Sequence, residues 1–191
     1  MLFRSGKSNA LDDIVTNYAK QIENGDARAG IIDFIKKLRT YYPPYHQFLT
    51  AFKIVGYSQR VKSYRTPAKK HDVQYILREL ENYWQAKNNE LSVQIFTIEH
   101  IGCDNGEESH CRIGNLLPLA EGVNNRIGDD FFANKISQYK KSNFVSVKKF
   151  VEWYGTKTEW TEQDIDDRAT HMAELAYNKI WSILGIFSEV D

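Results

Sequence analysis

The chain has 191 residues, 42% hydrophobic and 13% aromatic, enough for one sizeable core or two small ones and too apolar for a disordered segment. Its 25 Lys and Arg balance 25 Asp and Glu, so the overall charge gives no attraction to nucleic acid and any phosphate partner has to be met by a local cluster. Two cysteines without a Cys-x-x-Cys pair exclude a four-cysteine zinc staple and a disulfide framework.

The first residues lack the apolar core of a signal peptide, and no apolar run reaches the length of a membrane span, so a cytoplasmic protein without membrane partners is expected. Residues 1–90 read as a helical region packing on the rest of the chain. Leu11, Ile14, Val15, Tyr18 and Ile22 keep a 3.6-residue period behind Asn9 and Asp12 at capping-box spacing. Ile31, Ile32, Ile35 and Leu38 form a second stripe that stops before Pro43 and Pro44. Phe48, Leu49 and Phe52 suggest a short third helix. Between Lys53 and Lys70 stand Lys53, Arg60, Lys62, Arg65, Lys69 and Lys70 with no acid among them and with Tyr57 and Tyr64 interleaved. Such a run is either a solvated face or a track for a phosphate backbone. Val73, Ile76, Leu77, Leu80, Tyr83 and Trp84 make the fourth helical stripe.

The period changes after residue 91. Val93, Ile95 and Thr97 alternate with Gln94, Phe96 and Ile98 as in a strand buried on both faces. Asn105-Gly106, inside an acidic stretch, is a favoured turn dipeptide, and residues 113–119 read as the returning strand, with Pro118 pushing it toward an edge. Asp129 or Asp130 caps a helix carrying Phe131, Phe132, Ile136 and Tyr139. Val147, Phe150, Val151 and Tyr154 form a further helix that ends before Gly155. The last one opens on the capping box Thr161-Glu162-Gln163-Asp164 and carries Ile165, Met172, Leu175, Ile180 and Ile183. The expected class is mainly α with a small β-hairpin (α+β), a helical bundle around a strand–turn–strand–helix element, divided as 1–90 and 91–191.

The chemistry lies in residues 96–126. His100 follows the acid Glu99; Asn115 comes 15 positions later and Asn124 nine beyond that. A histidine titrating near neutrality suits a general base, and carboxylate and amide oxygens suit magnesium. Glu99-His100-Ile101, Gly114-Asn115-Leu116, Asn124 and Phe132-Ala133-Asn134-Lys135, in that order, resemble the HNH, or His-Me finger, nucleases. More narrowly they resemble the C-terminal nuclease domain of GmrSD-type restriction endonucleases, over roughly residues 93–183, with Arg168 and Ile180-Trp181 fitting the last helix. Phosphorothioation-linked phage-defence nickases share the layout.

The resemblance implies a ββα-metal nuclease motif and a metal-dependent DNA endonuclease or nickase, the effector of a bacterial anti-phage restriction system. His100 would be the base, held in orientation by Asn115. Glu99 and Asn124 would bind one divalent ion, Mg²⁺ or Mn²⁺, with Asn125 the rival of Asn124. Lys135, Asn125 and Arg126 would contact the substrate, phage or plasmid DNA, and the products would end in 5′-phosphate and 3′-hydroxyl. An N-terminal nucleotide-hydrolysing sensor module, absent from this chain, would be the partner. The alternative is a catalytically degenerate DNA-binding or regulatory module of the same fold. Neighbours in a regular strand face opposite ways, so Glu99 and His100 can serve one site only at a bulge or a strand end.

Overall fold

The structure, a computed structural model, describes residues 8–87, 95–128 and 130–182; for residues 8–11 and Asn24 it describes the backbone alone. The expectations for Val93, for Asp129 as a cap, for Ile183 and for the side chains of Asn9 and Leu11 lie outside the described residues. Helices dominate. The sheet has two antiparallel strands, so the α+β class holds. None of the described helices is long and apolar enough to cross a membrane.

The described residues divide into two compact units, one of residues 8–48 and 181–182, the other Leu49–Ile180. In the first, α1 (Ser8–Asn24) packs on α2 (Ala27–Arg39) with the Tyr18 and Phe34 ring centroids 5.5 Å apart. Asp26 caps α2, its carboxylate accepting the backbone N–H of Arg28 and Ala29. Lys36, Lys37 and Arg39 occupy the last turn, where the helix dipole favours cations. α3 (Tyr45–Lys53) leads out of this unit.

The second unit holds α4 (Pro67–Lys87), β1 (Thr97–His100), α5 (Glu108–Cys111), a 3₁₀ turn at Ile113–Asn115, β2 (Leu116–Leu119), α6 (Glu121–Ile127), α7 (Phe132–Tyr139), α8 (Val145–Tyr154) and α9 (Glu162–Leu175), which runs on into a π-helical turn. α4 buries its Val73, Ile76, Leu77 and Leu80 stripe and packs against β2 and α8. For that reason the expected boundary at residue 90 falls inside this unit: the fourth helix belongs with the hairpin. The Glu81 carboxylate, 1% exposed, accepts the Val145 and Ser146 backbone N–H at 2.8 Å and so supplies the cap that the start of α8 lacks.

α9 opens on the capping box read from the sequence, with Thr161 Oγ1 accepting Asp164 N–H and Asp164 Oδ2 accepting Thr161 N–H. It packs directly on the 3₁₀ turn. A side chain at Gly114 would overlap the Ile165 carbonyl, so only glycine allows this approach. The Arg168 guanidinium is buried there and donates to the carbonyls of Gly114 (2.7 Å) and Leu116 (3.0 Å). Burial lowers its pKa to about 10, which still leaves it charged at neutral pH.

Two local expectations are corrected. Ile95 is 90% exposed, so the approach to β1 is not buried on both faces. The returning segment is a 3₁₀ turn through Asn115 and becomes strand only from Leu116, because Asn115 turns its side chain back into the loop between the strands.

Candidate functional site

β1 pairs with β2 without a bulge, Glu99 opposite Leu117 and His100 opposite Leu116. Alternation therefore sends the two side chains to opposite faces, and His100 is the last residue of the strand. Glu99 turns inward and is 4% exposed. Its Oε1 accepts from Lys135 Nζ (2.9 Å) and from the Tyr139 hydroxyl (2.8 Å), both on α7. Lys135 Nζ also donates to the His100 carbonyl at 2.6 Å. Burial beside the Glu99 carboxylate pushes the Tyr139 hydroxyl well above its ordinary pKa, so it stays a donor. At 1% exposure, Lys135 has no access to a substrate in this arrangement. The expected phosphate contact is replaced by an internal ion pair, because helical spacing turns that side of α7 toward β1.

His100 is largely buried but keeps part of its surface exposed. Its Nε2 is 2.9 Å from the Tyr57 carbonyl oxygen. A carbonyl only accepts, so Nε2 carries the proton and Nδ1 keeps the lone pair. Burial lowers the imidazole pKa from the ordinary value, partly countered by the Tyr57 carbonyl and by the carboxylates of Asp104 and Glu99. The neutral base is thereby favoured.

Tyr57 reaches the ring because Gly56 lies directly on the α5 exit. Tyr57 N–H donates to the Cys111 carbonyl (2.8 Å), Ile113 N–H donates to that of Val55 (2.7 Å), and a side chain at Gly56 would overlap Cys111. Ser58, fully buried, comes next in the chain. Its hydroxyl donates to Asp104 at 2.8 Å and accepts the N–H of Arg60 and Val61, while Asp104 Oδ2 accepts Gln59 N–H. Burial alone would raise the Asp104 pKa, but these bonds and the nearby His100 hold it below the usual value.

Asn115 is fully buried, and its side-chain hydrogen bonds go to groups other than the His100 ring. Its Oδ1 accepts Gly102 N–H (2.7 Å) and Trp160 Nε1–H (3.1 Å), and its Nδ2 donates to the carbonyls of Gly102 and His110. Its backbone carbonyl accepts Ile101 N–H. The expected orienting role thus belongs to the Tyr57 carbonyl, and Asn115 staples the loop between the strands. Asn124 sits within α6, not at its start, and its Nδ2 donates to Thr97 Oγ1 (2.9 Å) and the Ile98 carbonyl (3.2 Å). Asn125 and Arg126 are exposed on the same helix. His110, on α5, donates from Nδ1 to the Cys103 carbonyl (2.6 Å).

Among the described residues no three His, Cys, Asp or Glu side chains gather as a metal site. Glu99 and Asn124 nevertheless suit a hard ion in their donor chemistry. Both bonds to Glu99 fall on Oε1 and both bonds from Asn124 leave Nδ2, so Glu99 Oε2 and Asn124 Oδ1 are the oxygens left over. Thr97 and Glu99 share a face of β1, which Asn124 reaches through Thr97. Magnesium needs no more than one or two protein oxygens when water and phosphate supply the rest.

Tyr57, Ser58, Asp104 and Tyr139 are the site residues that sequence reasoning did not single out. A backbone carbonyl has no side-chain signature, and Asp104 reads as one acid of a turn. Tyr139 carried the only usable signal, four residues after Lys135 on one helical face.

Searches of curated proteins and of solved structures return no match to the chain. A family profile described as GmrSD restriction endonucleases, C-terminal domain, matches residues 56–175. The matched stretch starts at Gly56, beside the Tyr57 carbonyl that holds His100, and takes in β1, β2 and α4–α9, leaving out only residues 49–55 and 176–180 of the second unit. On that match, over more than half its length, the chain belongs to the GmrSD restriction endonuclease C-terminal domain family.

Proposed function

We propose that this domain is an HNH-type nuclease that hydrolyses a DNA phosphodiester with His100 as general base, and the single observation that carries the reading is the Nε2–Tyr57 bond. With Nε2 as donor, Nδ1 is left to take a proton from water. The oxygen of that water attacks phosphorus, the P–O3′ bond breaks, and the leaving oxygen gains a proton from solvent. The products end in 5′-phosphate and 3′-hydroxyl. The order β1, β2, α6 supports a ββα reading of the hairpin and helix.

Glu99 and Asn124 would hold one divalent ion, Mg²⁺ or Mn²⁺, whose contribution when bound is to offset charge on the phosphate and the leaving oxygen. The rest falls to the protein. Tyr57 fixes the imidazole, Asn115 fixes the loop beyond it, and Lys135 and Tyr139 hold the Glu99 carboxylate in place. Asn125 and Arg126, exposed on α6, are suited to contact the DNA backbone.

A lone site of this kind cuts one strand per event, so nicking is the expected product. The domain would act in the cytoplasm as the effector of an anti-phage restriction system, answering to a nucleotide-hydrolysing sensor module. One observation favours the alternative of a non-catalytic DNA-binding module: the Glu99 carboxylate already has an ammonium partner. Supercoiled plasmid incubated with Mg²⁺ or Mn²⁺, with EDTA as control, separates the two. Loss of a general base costs about 10²–10⁴-fold in rate, so His100→Ala is expected to abolish nicking while retaining DNA binding.

A further inference from the structure

We infer that the exposed basic segment at residues 60–70 is the surface that grips the phosphate backbone of DNA as it enters the His100 site; this rests on the nuclease reading of that site. The segment starts three residues after Tyr57, whose carbonyl lies 2.9 Å from His100 Nε2. It is therefore next to the proposed reaction centre through a bond, not through sequence proximity.

Its geometry is fixed. The buried Ser58 hydroxyl accepts the N–H of Arg60 and Val61, and Asp104 ties Ser58 and Gln59 to the loop after β1. Tyr64 is 8% exposed and anchors the middle, with its N–H donating to the Val61 carbonyl. Around that anchor Lys62 and Arg65 stand exposed. α4 then begins at Pro67, with Thr66 Oγ1 accepting Lys69 N–H. Lys69 Nζ lies 5.5 Å from the Tyr64 ring centroid and Lys70 Nζ 5.9 Å from that of Tyr57, so the two rings position two ammonium groups along the same edge. Lys53 is excluded, because its ammonium is 2.7 Å from Asp166.

Charge makes the choice of partner. Residues 60–70 hold five cations and no acid, while the rest of the chain carries five more acids than bases. The molecule as a whole gives no pull on a polyanion, so attraction has to be local. Two acids face the segment: Asp104 in the loop after β1, bonded into the turn, and Glu108 at the start of α5, near Tyr64. The turn that carries these cations also holds the His100 imidazole through the Tyr57 carbonyl.

The test is a fluorescent-duplex titration of the full chain in EDTA, over about 50–200 mM NaCl, where each lost phosphate contact flattens the log–log salt slope by about 0.9. The triple variant Lys62→Ala, Arg65→Ala, Lys70→Ala is expected to flatten the slope by about 2–3 and to weaken binding more than tenfold at the low-salt end. The charge-preserving pair Lys62→Arg and Arg65→Lys should keep wild-type binding, as should Lys36→Ala with Lys37→Ala on α2. A triple variant with unchanged slope and affinity overturns the inference, and so does equal weakening by the α2 pair. Because EDTA blocks turnover, that failure is distinct from failure of the nuclease reading, which would appear as metal-dependent nicking indifferent to His100→Ala.

Discussion

Positions 99 and 100 differ by one step along a strand, and that step sends a carboxylate into the interior and an imidazole to the rim. The inward residue is committed to an ion pair in a low-dielectric setting, where removing one partner leaves an uncompensated charge. Lys135→Met is therefore expected to destabilise the protein by about 3–5 kcal/mol, read by urea unfolding. The double variant Glu99→Gln with Lys135→Met should lose less than the two single changes added together. Single changes within about 0.5 kcal/mol of wild type, as at ordinary surface positions, would show that the pair contributes nothing. The sequence identified Glu99, His100, Asn115, Asn124 and Lys135 as a group by their order. It did not assign their partners, because Lys135 and Asn115 bond to groups whose placement depends on tertiary packing: a strand carbonyl, a loop carbonyl, an indole.

At the scale of elements, the hairpin is held by what packs on its return. α9 lies against the 3₁₀ turn at Gly114 and fills it with the Arg168 guanidinium. Gly114→Ala forces a methyl into the Ile165 carbonyl, so a loss of about 3 kcal/mol, the upper end for overpacking, is expected in thermal or urea unfolding. A variant as stable as the wild type would mean that α9 can shift away from the turn.

The start of α9 gives a pH test. Burial by itself would raise the Asp164 pKa, but the Lys157 ammonium at 2.7 Å and the Thr161 bonds hold it below the usual carboxylate range. A depressed carboxyl stabilises the fold above its unfolded pKa and loses that contribution as pH falls through its folded value. The melting-temperature gap between wild type and Asp164→Asn should thus be open at neutral pH and close as pH falls through the depressed folded pKa of Asp164. A gap independent of pH would mean that the Asp164 charge plays no part in holding α9. The α9 box and the α4 stripe were legible because caps and 3.6-residue spacing are local signals. α5 and α6 were not, since four and seven residues are too short to show a period and neither has a side-chain cap.

For the whole molecule, the division at Phe48 and Leu49 could not be read from composition, because it falls within α3, and α4 reads as a helix like those before it and differs only in what it packs against. The basic segment was legible as a run and illegible as a place. The Tyr57–His100 bond, across 43 residues of chain, and the Asp104 bonds to Ser58 and Gln59 bring it to the hairpin. The central claim, that His100 drives phosphodiester hydrolysis in this fold, is tested most directly by plasmid nicking with Mg²⁺. Relaxed circles should accumulate with the wild type, vanish in EDTA, and form about 10²–10⁴-fold more slowly with His100→Ala. Nicking by His100→Ala at the wild-type rate would contradict it.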